Sequence, residues 1–176
     1  MGEIIPKISE QKQLILLGCN FYGNPFHSAG EWSKENEIGK LWIRFGENYQ
    51  KYSFLLDKLN AFPGKSFEVH FEPSDYKNTK NFEIFVGIAV EQLIEDIPLE
   101  FVFKILPASK YASVTSHGTD YSSVDFLFSE WLKSPKSKYK QSYPFMIEYY
   151  DEKRFNARNM DNPKSEIDWW IPVVEK

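Results

Sequence analysis

The sequence predicts an α+β fold of two pseudo-symmetric β-α-β-β units packed around a central ligand groove. Three observations carry that prediction. The order strand, helix, strand, strand is read twice along the chain, once over 13–92 and once over 99–175. The two passes share punctuation: Leu16–Gly23 matches Tyr111–Gly118 in character, Ser66–Glu72 matches the stretch from Pro144, and Asn81–Gln92 matches Glu166–Val174. Aromatic residues make up 17% of the chain, more ring surface than a core of this size needs, so some rings are expected to line a cavity. A helix over a few strands cannot bury both faces of its sheet. The halves are therefore expected to dock within one domain spanning 1–176, with the helices on the side away from the groove.

Each element has its own signal. Gln13–Tyr22 is apolar and strand-like, and Gly23-Asn24-Pro25 stops it. Ile38, Leu41, Trp42, Phe45 and Tyr49 recur at helical spacing, with Ser33 as the expected N-cap, Glu35 and Glu37 in the first turn, and Gly46 as a point of weakness or termination. Ser66–Glu72 alternates Phe67, Val69 and Phe71 against Glu68, His70 and Glu72, the pattern of a half-exposed strand. Asn81–Gln92 is apolar enough to be a buried strand. In the second pass, Leu99–Leu106 and Lys110–Ser116 read as strands. Val124, Leu127, Phe128, Trp131 and Leu132 share a helix face that Thr119 or Asp120 would cap. Pro144–Asp151 and Glu166–Val174 complete the set, and Pro172 predicts an edge or a bend in the last strand because it cannot donate to a ladder.

The chain has 176 residues, enough for a substantial core, and a formal net charge of -4, which argues against general nucleic-acid binding. One cysteine, Cys19, excludes an internal disulfide and suits a reducing compartment. The first residues lack the basic and apolar regions of a signal peptide, and no apolar run is long enough to span a bilayer. A cytoplasmic protein is expected. His27, His70 and His117 show no metal-ligand spacing, no serine lies in a nucleophile elbow, and no Gly-rich phosphate loop is present, so neither a metal nor a cofactor is expected. Lys133–Lys140 reads as a solvated loop, and Trp42 and Trp131 as core.

The residue that stands out is Glu148. Strand alternation puts Met146, Glu148 and Tyr150 on one side of Pro144–Asp151, leaving Phe145, Ile147 and Tyr149 to pack under a helix. A carboxylate among a thioether and a phenol is costly unless it meets a donor or a cation. The same alternation predicts Trp170 on the glutamate's side of the adjacent strand, with Tyr111, Phe21 and Tyr22 at strand ends facing the groove.

Taken together, Ile97-Pro98, Lys110-Tyr111-Ala112, His117-Gly118, Glu130-Trp131-Leu132, Pro144–Asp151 and Trp170-Ile171-Pro172-Val173 resemble the GyrI-like small-molecule-binding family. That module is also the effector-binding domain of some AraC-type and MerR-type transcription activators. The resemblance spans about Gln13 to Val174 and implies a pair of β-α-β-β units whose groove takes hydrophobic, often cationic, molecules. It implies that Glu148, with Tyr150, supplies the ligand-binding acid. No helix-turn-helix is seen ahead of the module, so a stand-alone member without direct nucleic-acid contact is expected. Two other classes stay open. Some relatives are hydrolases that add water to electrophilic small molecules, in which case Glu148 and Tyr150 would be catalytic, with Tyr111 another candidate phenol. A gyrase-inhibitor-like protein partner is the third.

Overall fold

Ten residues with an apolar majority, Leu14–Gly23, form a central strand of one of the two units. The computed structural model describes residues 4–30 and 33–176. In chain order the strands of the earlier half are β1 (Lys7–Gln11), β2 (Leu14–Gly23), β3 (Lys65–Phe71), β4 (Phe82–Val90) and β5 (Val102–Leu106), with helices α1 (Glu37–Lys51), α2 (Ser53–Leu59) and α3 (Tyr76–Thr79) between them. The later half holds β6 (Ser109–His117), α4 (Ser122–Asp125) running into a π-helical stretch Phe126–Trp131, then β7 (Tyr139–Gln141), β8 (Phe145–Asp151) and β9 (Glu166–Glu175). The fold is α+β, and the repeated β-α-β-β order is present as β2-α1-β3-β4 and as β6-α4-β8-β9. The chain forms two compact units, Leu14–Leu106 and Met1–Gln13 with Pro107–Lys176.

In the Leu14–Leu106 unit, β4 pairs with β3 and β2, and β2 pairs with β5, all antiparallel. Leu17, Cys19, Ile84, Val86 and Ile88 point to one face, where Leu41 and Phe45 of α1 close over them. Burying aliphatic side chains of this size stabilises by about 1.5–3 kcal/mol each, an upper estimate against a compact unfolded chain. Asn36 caps α1 in place of the expected Ser33, its Oδ1 accepting from the Gly39 N–H at 2.9 Å. Ser33 accepts from Glu35 one turn earlier, so it shapes the approach to the helix. The helix runs through Gly46 to Lys51, because Leu41 and Phe45 anchor it to the sheet on the other side. Gly18 faces Gly87 across β2 and β4; a Cβ on Gly18 would lie 2.0 Å from the Val86 carbonyl oxygen and 2.8 Å from the Phe85 ring.

In the other unit, β6 pairs with β1 and β9, and β9 also pairs with β8 and β7. Thus β5, read from sequence with the later half, pairs with β2, and β1, which sequence did not signal, pairs with β6. Pro172 sits in a doubly paired strand, which corrects the edge among the two expected alternatives, an edge or a bend. Its carbonyl accepts from the Ser142 N–H at 2.9 Å, between the β7 and β8 pairings. A strand residue turns its N and its C=O to the same side, so the missing donor faces that gap and no bond to β6 is lost. The N-cap of α4 is Tyr121, with no side-chain cap bond, in place of the expected Thr119 or Asp120. Asp120 accepts from the Ser122 N–H at 2.9 Å just before it, regular α-helix ends at Asp125, and Leu132 bonds back five residues to Leu127. Arg154 ties the loop after β8 to β9 through Glu166 at 3.0 Å and through Asp168, which also accepts from Thr115 at 2.7 Å.

The helices lie on the faces that carry the buried glutamates, which corrects the expectation that they would lie away from them. Trp42 of α1 reaches Glu68, and Tyr121 at the head of α4 sets its ring edge 6.0 Å from Trp169, the cross-strand partner of Glu148. The strand face of Phe145, Ile147 and Tyr149 is therefore not the helix-covered one. Among the described residues, no helix is long and apolar enough to cross a membrane.

Candidate functional site

Strand β8 has buried residues on both faces, and Glu148 among them is 3% exposed. Tyr150, two residues on and on the same face, donates its hydroxyl to Glu148 Oε2 at 2.6 Å. A short O–H···O⁻ bond of this kind offsets part of the desolvation of the carboxylate. Tyr150 is itself fixed by Phe155, whose ring meets it edge-on at 4.8 Å. Across the ladder stands Trp169, donating its indole N–H to Ser116 Oγ at 2.9 Å. Met146 completes that face and is half-buried.

Trp170 and Tyr111 are not brought to this face. The β8–β9 register pairs Glu148 with Trp169 and Ile147 with Trp170, so Trp170 lies on the reverse of the sheet. There it stacks on Tyr149 at 4.9 Å and meets Tyr111 edge-on at 6.2 Å. One residue of register is enough for this reversal, since side chains alternate strictly. Phe21 and Tyr22 belong to the Leu14–Leu106 unit: Phe21 packs against the core under α1, and Tyr22 is 60% exposed on the other face.

That unit holds a second buried acid. Glu68, at 2% exposure, accepts from Trp42 Nε1 at 2.6 Å on one oxygen and stands 2.5 Å from His70 Nε2 on the other. The expected half-exposed strand is therefore closed over at Glu68, His70 is a carboxylate's partner, and Trp42 carries a polar contact as well as core surface. The His70 ring rests against Phe82 at 5.4 Å. In each unit the strand after the helix thus carries a buried glutamate with a hydrogen-bonding side chain two residues later, Glu68-Val69-His70 and Glu148-Tyr149-Tyr150. Sequence held the signal for Glu68 in this Glu-x-donor repeat at matching places of the two passes.

A family model described as integron-associated effector binding protein matches residues 7–173. The chain belongs to that family. The effector-binding and GyrI-like character read from sequence holds at this level. Among solved structures, SAV2435 bound to tetraphenylphosphonium is 13% identical with a TM-score of 0.57, over 97% of this chain and 94% of that one. An integron cassette protein from the mobile metagenome of Vibrio cholerae is 16% identical, TM-score 0.54, over 96% and 95%. The C-terminal domain of EcmrR is 13% identical, TM-score 0.65, over 98% of each. At these identities the structures show a shared fold. No curated protein matches the sequence.

Proposed function

We propose that this effector-binding protein takes hydrophobic cations, and that Glu148 is the acid that recognises them. The observation that carries the reading is a carboxylate buried at 3% exposure, with the Tyr150 hydroxyl bonded to it and Met146 on the same face. A lipophilic cation meeting Glu148 is attracted by the carboxylate charge, and aromatic rings beside it contribute about 0.5–2 kcal/mol of cation–π attraction. Support comes from the family's effector-binding description and from the tetraphenylphosphonium held by the SAV2435 relative. Met146 and Tyr150 share the glutamate's face and belong to the proposed site; Trp170 and Tyr111 do not.

The 2.6 Å Tyr150–Glu148 bond also favours a second reading, hydrolysis of an electrophilic small molecule with this pair moving a proton. One experiment separates the two. Tetraphenylphosphonium and neutral triphenylphosphine oxide are titrated calorimetrically into the wild-type chain and Glu148→Gln, alongside a product assay on electrophilic substrates. A charge-assisted contact of roughly 1.5–3 kcal/mol predicts a ten- to hundredfold loss for the cation in the variant, with little change for the oxide. Retained binding with lost turnover identifies the hydrolase. Unchanged affinity and no turnover in either protein removes Glu148 from both readings.

A further inference from the structure

The turn that leaves β8 sends two neighbouring side chains to opposite faces of the sheet. The Asp151 carbonyl accepts from the Arg154 N–H at 2.8 Å and from the Phe155 N–H at 2.7 Å. The Arg154 carbonyl accepts in turn from the Glu166 N–H at 3.1 Å, where β9 begins. Asn156 continues the tie through its N–H to Ser165 Oγ at 3.1 Å, and Ser165 is buried. The dipeptide Arg154-Phe155 is therefore fixed to the ends of both strands that the turn links. Asp168 pairs with Tyr149 across the ladder, which puts Asp168 and, two residues earlier, Glu166 on the face opposite Glu148. The Arg154 guanidinium reaches that face: Glu166 accepts from it at 3.0 Å, Asp168 accepts a second bond, and Asp151 lies 3.9 Å away. A planar fork held by two carboxylates cannot turn without breaking both bonds. Phe155 meets Tyr150 on the Glu148 face, ring edge to ring at 4.8 Å and 73°, and Tyr150 donates to Glu148 at 2.6 Å.

We propose that Phe155 is a positioning residue of the cation site: the Arg154 clamp holds its ring, the ring holds Tyr150, and Tyr150 keeps the Glu148 carboxylate turned to receive the cation. This role rests on Glu148 as the recognising acid. A tyrosine side chain has several staggered rotamers, and its hydroxyl reaches a given carboxylate in few of them. A neighbouring ring that excludes the others preorganises the acceptor before the ligand arrives, which lowers the cost of binding. The clamp also reverses the sign expected of Arg154. Coulomb repulsion alone makes a guanidinium on the residue next to Phe155 unfavourable for a bound cation. As the anchor of the ring it favours that cation instead.

The test is calorimetric titration of tetraphenylphosphonium into the whole chain, wild type and variants, with urea unfolding of each. Glu148→Gln is the reference: unchanged affinity there removes the Glu148 reading, and the role of Phe155 with it. Where that reference binds more weakly, Phe155→Ala should lose about two- to tenfold in affinity, the range to which an edge-on ring pair of ordinary strength converts. Phe155→Tyr keeps the ring and should rescue the loss. In a Tyr150→Phe background, Phe155→Ala should weaken binding no further, because the hydroxyl that the ring positions is gone. Arg154→Gln should also bind the cation more weakly, although it removes a positive charge. Wild-type affinity in Phe155→Ala overturns the proposal and leaves the Glu148 reading standing. An equal loss from Phe155→Ala with and without the Tyr150 hydroxyl overturns it too, since the ring then acts by packing alone. Tighter binding by Arg154→Gln overturns the clamp. If that variant does not fold, Arg154→Lys answers in its place, keeping the charge and losing the fork: it should bind more weakly than the wild type, and equal affinity overturns the clamp.

Discussion

The indole of Trp42 donates to the carboxylate of Glu68 over 2.6 Å, fastening α1 to β3 across 26 residues of sequence. Phenylalanine at position 42 would keep the ring edge against Phe45 but remove the N–H, leaving Glu68 with one fewer donor at 2% exposure. Removing a donor from a buried acceptor costs about 1–3 kcal/mol, so Trp42→Phe should lower stability by that much in urea unfolding. Adding Glu68→Gln should recover part of the loss, since the charge is then gone. If Trp42→Phe unfolds at the wild-type urea concentration, the contact does not hold the helix.

The corresponding bond in the other unit, Tyr150 to Glu148, should appear as coupling. Tyr150→Phe and Glu148→Gln each alter one 2.6 Å contact, so their stability changes should fail to add. Interaction energies of about 0.5–3 kcal/mol are usual for residues in one such pair. A complete thermodynamic cycle by urea unfolding measures it, and additivity within error would mean that the two side chains act independently.

Sequence made the strands and the repeated order legible because each strand alternates or runs apolar between Gly, Pro and Asn stops. It missed what depends on partners distant in sequence. Nothing in Lys7–Gln11 announces that it will pair with Ser109–Ser113, and nothing in Val102–Leu106 distinguishes β2 from β6 as its neighbour. Glu148 stood out because a phenol and a thioether flank it on its own strand. Glu68 did not, because the group that buries it comes from a helix read only as core. Trp169 and Trp170 are adjacent tryptophans, and only the register, which composition leaves undetermined, tells which one faces the glutamate.

Gly18 and Gly87 should tolerate no side chain. A Cβ on Gly18 meets the Val86 carbonyl at 2.0 Å, a backbone atom held by the β2–β4 ladder and unable to swing aside. Relief would require the two strands to part, and overpacking of this kind costs about 1–3 kcal/mol or more. Gly18→Ala should therefore unfold at clearly lower urea than Gly46→Ala, where nothing lies within 4 Å and the helix gains propensity. Equal midpoints for the two variants would show that the ladder yields where this packing says it cannot.

Glu100 should account for part of the protein's acid sensitivity. Hydrogen bonds from the Lys51 ammonium at 2.6 Å and the Tyr52 hydroxyl at 2.9 Å hold its carboxyl down to about 2, against an ordinary 4.5. The folded state therefore binds this proton less readily than the unfolded one, so stability falls as pH falls. The contribution is fully present above about pH 4.5 and is lost progressively towards pH 2. Glu100→Gln lacks it at every pH. The melting temperatures of the two proteins should differ at pH 7 and converge as the solution is acidified through this window. Lys51 is exposed over 59% of its side chain, so salt screens the pair and added sodium chloride should narrow the gap at pH 7. A gap that stays constant from pH 7 to pH 2 would assign the effect of the substitution to packing and leave the ion pair without a role.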